Sequence, residues 1–397
     1  MTSFRTVPAL LAVGLLAAVA SPVGRASADE VTKGPAPVAP RPVAPRSIDL
    51  ALCLDTSGSM TGLINSARQK LWEVVNELAA ARPAPTLRVA LLTYGSSGSE
   101  EDGYVIVQTP FTTDLDLVSE KLFALGTNGG TEYVGRVVQT AVDRLGWGGP
   151  DAAKILFVCG NESADQDHAA PFRRVVPHAY GLGVRVNSVY CGNPDDGDAP
   201  GWREVADLGH GRYASIDMNH GTVAVATPYD ADLEALSRKI NTTYLGYGAR
   251  AKDAKERQSA QDGNAAAAPG AGAARAASKA SGLYDNAGWD LVDKSKEPGF
   301  DLAKIPAEEL PEDMKALSLE QRKALLETKK TERAEIQAKI QTLSAQRAAH
   351  IREQMAKTGL DDGKALDRAI RDAVREEAAE KGFTFPDANP APVPMPR

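Results

Sequence analysis

The apolar run Ile48-Asp-Leu-Ala-Leu-Cys-Leu54 passes directly into the polar turn Asp55-Thr-Ser-Gly-Ser59-Met60, and the turn into a stretch with helical periodicity. A short apolar run bounded by turn residues predicts a buried strand, and Leu63, Ala67, Leu71, Val74, Val75 and Leu78 predict an amphipathic helix after it. The chain must therefore reverse direction over a few residues, at a place that carries one carboxylate (Asp55) and two hydroxyls (Ser57 and Ser59). Oxygen donors of low total charge suit Mg²⁺ or another hard cation better than Zn²⁺, which prefers imidazole and thiolate. The competing reading is a polar turn that caps the helix, since Asp, Ser and Thr are common N-caps.

Further strands are expected at Arg88–Tyr94, Tyr104–Gln108, Ala153–Cys159, Val184–Tyr190 and Arg212–Ile216, and a second amphipathic helix over Val134–Leu145. Strands alternating with helices predict an α/β fold, a doubly wound, mostly parallel sheet with helices on both faces. One domain over residues 47–247 is expected, followed by a C-terminal α-helical segment. In such sheets ligands gather beyond the carboxyl ends of the strands, where strand order reverses.

These residues resemble the von Willebrand factor A domain, whose metal-ion-dependent adhesion site is marked by Asp-x-Ser-x-Ser after the first strand; the resemblance covers roughly half the chain. It implies a further ligand from a second loop, and Thr131 in Gly129-Gly-Thr131-Glu-Tyr matches that position. It also implies an aspartate in a third loop, where this chain has Cys159-Gly-Asn161-Glu162-Ser163 instead. Asn161 is the positional match and offers a neutral amide, while Glu162 is the charged alternative. The cofactor expected from the resemblance is Mg²⁺, or Mn²⁺ or Ca²⁺ in its place, and the partner a protein offering an acidic side chain.

Residues 1–28 combine Arg5, an apolar stretch over Ala9–Ala20 and Ala26-Ser-Ala28, the pattern of a secretory signal peptide. The apolar stretch is too short for a comfortable membrane span, so a secreted or periplasmic protein without a stable span is expected. The chain carries a net charge of −7, and loss of the leader removes Arg5 and Arg25 but no acid, which argues against general nucleic-acid binding. Cys53, Cys159 and Cys191 all fall at expected strand ends and read as buried apolar residues; a Cys159–Cys191 bridge between neighbouring strands is the alternative.

The rest divides by composition into a Pro-rich spacer (29–46), an Ala/Gly-rich linker (248–281), a helical segment (282–385) and a Pro-rich tail (386–397). Ile336, Ile340, Leu343, Ile351 and Met355 form one helical stripe, and Leu366, Ile370 and Val374 a second after a break at Gly359. Two helices burying these stripes against each other are expected, with a coiled-coil seam giving an oligomer as the alternative. Trp289 reads as a packing anchor.

The five histidines are scattered, and neither a Ser-His-Asp nor a His-Glu-x-x-His arrangement occurs, so an enzyme is not expected. Asp165-Gln-Asp167-His168 reads as an acid-rich helix start, or as acids flanking the metal loop; Asp195, Asp196 and Asp198 read as a turn. The function expected is an exported module that captures a protein partner through a divalent cation. Its alternative is an envelope-associated assembly factor with a weakened metal site, interacting through its C-terminal helices.

Overall fold

The computed structural model describes residues 46–216, 225–358 and 366–386. The leader, nearly all of the spacer, Gly359 and most of the tail lie outside them. The strands are β1 (Ser47–Asp55), β2 (Thr86–Tyr94), β3 (Val105–Thr112), β4 (Ala153–Gly160), β5 (Val184–Tyr190) and β6 (His210–Ser215). The helices around the sheet are α1 (Thr61–Ala79), α2 (Leu115–Ala124), α3 (Val134–Arg144), α4 (Phe172–Gly181) and α5 (Ala199–Leu208). Beyond it come α6 (Asp230–Ile240), α7 (Ala251–Ala267), α8 (Ala271–Lys279), two short helices α9 (Leu291–Lys294) and α10 (Glu312–Lys315), then α11 (Leu319–Thr358) and α12 (Leu366–Glu380).

The sheet order is β3-β2-β1-β4-β5-β6, parallel throughout except for the antiparallel edge strand β3. Side chains alternate across a strand, so β1 feeds two cores at once. Ile48, Leu50, Leu52 and Leu54 pack with α1, α2 and α12, while Ala51 and Cys53 face α3, α4 and α5. Strands buried on both faces read as continuous apolar runs, which is why β1, β2, β4 and β5 match their expected positions closely. Asp49 is the exception in the run; it is buried and held bidentately by Arg88 at 2.8 and 2.6 Å. All three cysteines are free and buried.

The structure departs from expectation after β6. The stretch expected as a linker forms α7 and α8, and α8 lies along α1. Ala271, Ala273, Ala274 and Ala276 are buried; small side chains let two helix backbones approach, and Asn76 of α1 donates to the Ala274 carbonyl at 2.8 Å. Arg275 is buried between Asp116 of α2 (2.6 Å) and Asp262 of α7 (2.5 Å), over the Trp72 ring.

The C-terminal helices do not bury their stripes on each other either. Ile336 and Ile340 of α11 pack with Leu233, Ile240, Tyr244 and Ala276, and Arg333 is buried against Asp290 (2.6 Å), Asp293 (3.0 Å) and Thr243. Ile370, Ala373 and Val374 of α12 pack on the sheet and α1, so the last helix is a layer of the α/β domain. Trp289 stacks on Tyr244 with centroids 5.4 Å apart, a packing anchor as expected. No helix among the described residues is long and apolar enough to cross a membrane.

Buried helices resist proteases, since cleavage requires local unfolding. Trypsin is therefore expected to spare Arg275 and Lys279 in native protein. Early cleavage at either residue, mapped by mass spectrometry, would contradict this packing.

Candidate metal centre

Because β1, β2 and β4 run parallel, their carboxyl ends meet at one edge. The chain after β1 turns to α1 on one face, whereas the chain after β4 turns to α4 on the other, and a crevice opens between the two departures. Asp55 closes β1 at that crevice. Backbone hydrogen bonds lock the surrounding loops: Thr56 N–H to the Tyr94 carbonyl (2.8 Å), Asn128 N–H to the Thr56 carbonyl (2.9 Å) and Gly58 N–H to the Gly129 carbonyl (3.2 Å). Gly95 has φ 88°, and a Cβ there would sit 2.8 Å from Asp55 Oδ1; any side chain would both strain the backbone and displace the carboxylate.

The turn folds its polar atoms inward. Ser57 N–H donates to Asp55 Oδ1 at 2.7 Å, Ser57 Oγ lies 3.4 Å from Ser59 Oγ, and Asn161 Nδ2 donates to Ser59 Oγ at 3.2 Å. Asp55, Ser57, Ser59 and Asn161 are thus brought together. Thr131 is half-buried and forms an antiparallel bridge with Gly95, which puts the second loop beside the turn. Glu162 is exposed, and its Oε2 accepts from Gln166 at 3.1 Å.

Sequence reasoning passed over Glu132. It is buried, and its carboxylate lies against the Asp55 carboxylate and the Ser57 hydroxyl. Asp55 Oδ2 and both Glu132 oxygens are buried without a hydrogen-bond donor, and neither acid has an ion-pair partner among the described residues. Glu132 is positioned from the third loop, where Gln166 Oε1 accepts its N–H at 3.0 Å. The only hint in the sequence is an acid placed directly after Gly-Gly-Thr.

Asp167 is taken up in structure: it pairs with Arg136 at 2.9 Å and accepts the Ala169 and Ala170 amides. Asp165 pairs with Arg173 at the surface. Asp196 accepts from Asn193 N–H and the Tyr190 hydroxyl, the turn expected there.

The sheet and the turn decide the fold class. The fold is of the von Willebrand factor A type. No family model and no curated protein matches the chain. Among solved structures, a von Willebrand factor type A protein from Catenulispora acidiphila is 18% identical, over 44% of this chain and 40% of that one, with a TM-score of 0.35. The SpRpn10 VWA domain is 14% identical over 45% of this chain and 100% of its own, with a TM-score of 0.35. The pilus adhesin SpaC from Lactobacillus rhamnosus GG is 13% identical over 44% and 28%, also at 0.35. This chain thus spans less than half the length of the first and third.

The A-type domain offers donors that fit a hard cation: two buried carboxylates with unpartnered oxygens, two serine hydroxyls and an amide. Among the described residues no group of three His, Cys, Asp or Glu forms, so hydroxyl, amide or water oxygens must complete any coordination. Burial, and then the neighbouring Glu132, push the Asp55 carboxyl up to about 9. An acid raised in the folded state keeps its proton while the unfolded chain ionises. The metal-free protein is therefore expected to lose stability as pH rises from about 4 toward 9. A cation must displace that proton, so affinity should rise with pH over the same window and binding should release protons. Calorimetry in buffers of differing ionisation enthalpy checks this; proton-neutral binding at pH 7 would contradict it.

Proposed function

We propose that this chain is an exported, non-enzymatic binding module that captures a protein partner through a divalent cation, Mg²⁺ or a close substitute. Asp55, Ser57 and Ser59 hold the ion at the mouth of the crevice, and an oxygen from the partner, an acidic side chain first of all, fills a remaining position. The observation that carries this reading is the buried, unpartnered carboxylate oxygen of Asp55 beside two serine hydroxyls. An uncompensated buried carboxylate costs several kcal/mol unless a proton or a cation offsets it. The secretory pattern of residues 1–28 supports export.

The test is calorimetric titration of the mature chain with Mg²⁺ and Mn²⁺. Asp55→Ala should abolish binding while the circular dichroism spectrum is retained, because β1 is held by its apolar neighbours. Affinity equal to that of the wild type would refute the assignment.

A further inference from the structure

We infer that Glu132 is a direct ligand of this centre and supplies the second negative charge, so that the cation is held without an acid from outside the chain. The inference rests on the metal-binding function proposed above. Two carboxyl groups are buried side by side, with three oxygens unpartnered and no basic side chain paired with them among the described residues. Such a pair must share a proton or enclose a cation. In the third loop Asn161 is neutral and bonded to Ser59, while Glu162 is exposed and bonded to Gln166.

The surroundings hold Glu132 in place. Its N–H is fixed by Gln166, the residue is 2% exposed, and the built Cβ of Gly95 would lie 3.3 Å from its Cγ and 2.8 Å from Asp55 Oδ1, so one glycine keeps room for both acids. With Asp55 and Glu132 both ionised, the ligands carry a charge of about −2 against +2 on the ion. A partner's oxygen then meets a cation whose charge is already balanced. Charge attraction contributes little to that contact, and the metal stays bound when the partner leaves.

The experiment titrates the mature chain with Mn²⁺, following free Mn²⁺ by electron paramagnetic resonance, with and without sodium acetate. The wild type should bind Mn²⁺ with an affinity that acetate does not change. Glu132→Gln should bind about 100-fold more weakly or worse, as expected for loss of a charged ligand. Glu132→Ala should regain affinity in acetate, because a small carboxylate fills the space the side chain vacates. The thermal midpoint of metal-free Glu132→Gln should be no lower than that of the wild type, which separates lost ligation from lost folding.

Equal affinity in Glu132→Gln and the wild type, with Asp55→Ala inactive, would overturn the inference and leave the proposed function standing. Weak binding in Glu132→Ala that acetate does not restore would make Glu132 a positioning residue and likewise overturn direct ligation. Absence of Mn²⁺ binding in the wild type would overturn both.

Discussion

A chain ended at Lys357 is expected to lose cooperative folding of the α/β domain, although the deletion begins more than a hundred residues after the last strand. Without α12 and the residues after it, the sheet loses the cover supplied by Ile370, Val374 and Phe383, all buried in its core. At about 1.5–3 kcal/mol for each large apolar side chain, the loss is roughly 5–9 kcal/mol, much of the 5–15 kcal/mol that holds a domain together. The paired hydrogen bonds between Arg82 and Thr384, each 2.7 Å, and the Arg375–Glu77 ion pair go with it. Urea unfolding read by tryptophan fluorescence provides the check. A soluble truncation with a sharp transition near the wild-type midpoint would show that α12 is dispensable.

The second large effect is expected from Arg275→Ala. The guanidinium is buried between Asp116 and Asp262, so its removal leaves one buried and one half-buried carboxylate, with Tyr284 (2.5 Å) beside Asp116 and Lys279 (3.0 Å) and Asn241 (2.6 Å) beside Asp262. Breaking a buried ion pair by removing one member costs about 3–5 kcal/mol, because the surviving charge stays out of water. Combining Arg275→Met with Asp116→Asn removes charge on both sides and should recover part of that loss. A urea midpoint within error of the wild type for Arg275→Ala would sink the argument, and equal losses in the single and double variants would show that lost packing, not the stranded charge, is responsible.

These two results concern the elements least legible in the sequence. The Ala/Gly-rich stretch reads as a linker because alanine contributes little to any apolar pattern. In the folded chain the same small side chains let α8 lie close on α1, and burial there depends on the partner helix rather than on intrinsic hydrophobicity. The stripe of α12 was visible as Ile370 and Val374, but a stripe specifies only that a face must be covered, not by what. α11 shows the same limit, since its apolar positions meet α6 and α8 and its one buried arginine meets acids some forty residues upstream.

The sequence by itself determined the features that arise within a few residues of one another. Parallel strands buried on both faces must be apolar throughout, so β1, β2, β4 and β5 were readable. The turn Asp55-Thr-Ser-Gly-Ser59 was readable because its donors lie on one short loop. Only the tertiary structure decided what depends on distant segments meeting: that Glu132 is buried against Asp55 across a separation of 77 positions in the numbering, that Glu162 is exposed and bonded to Gln166, and that the sheet is closed by the far end of the chain. The physical reason is that a buried carboxylate acquires its partners, and an apolar stripe its cover, from contacts that no local pattern encodes.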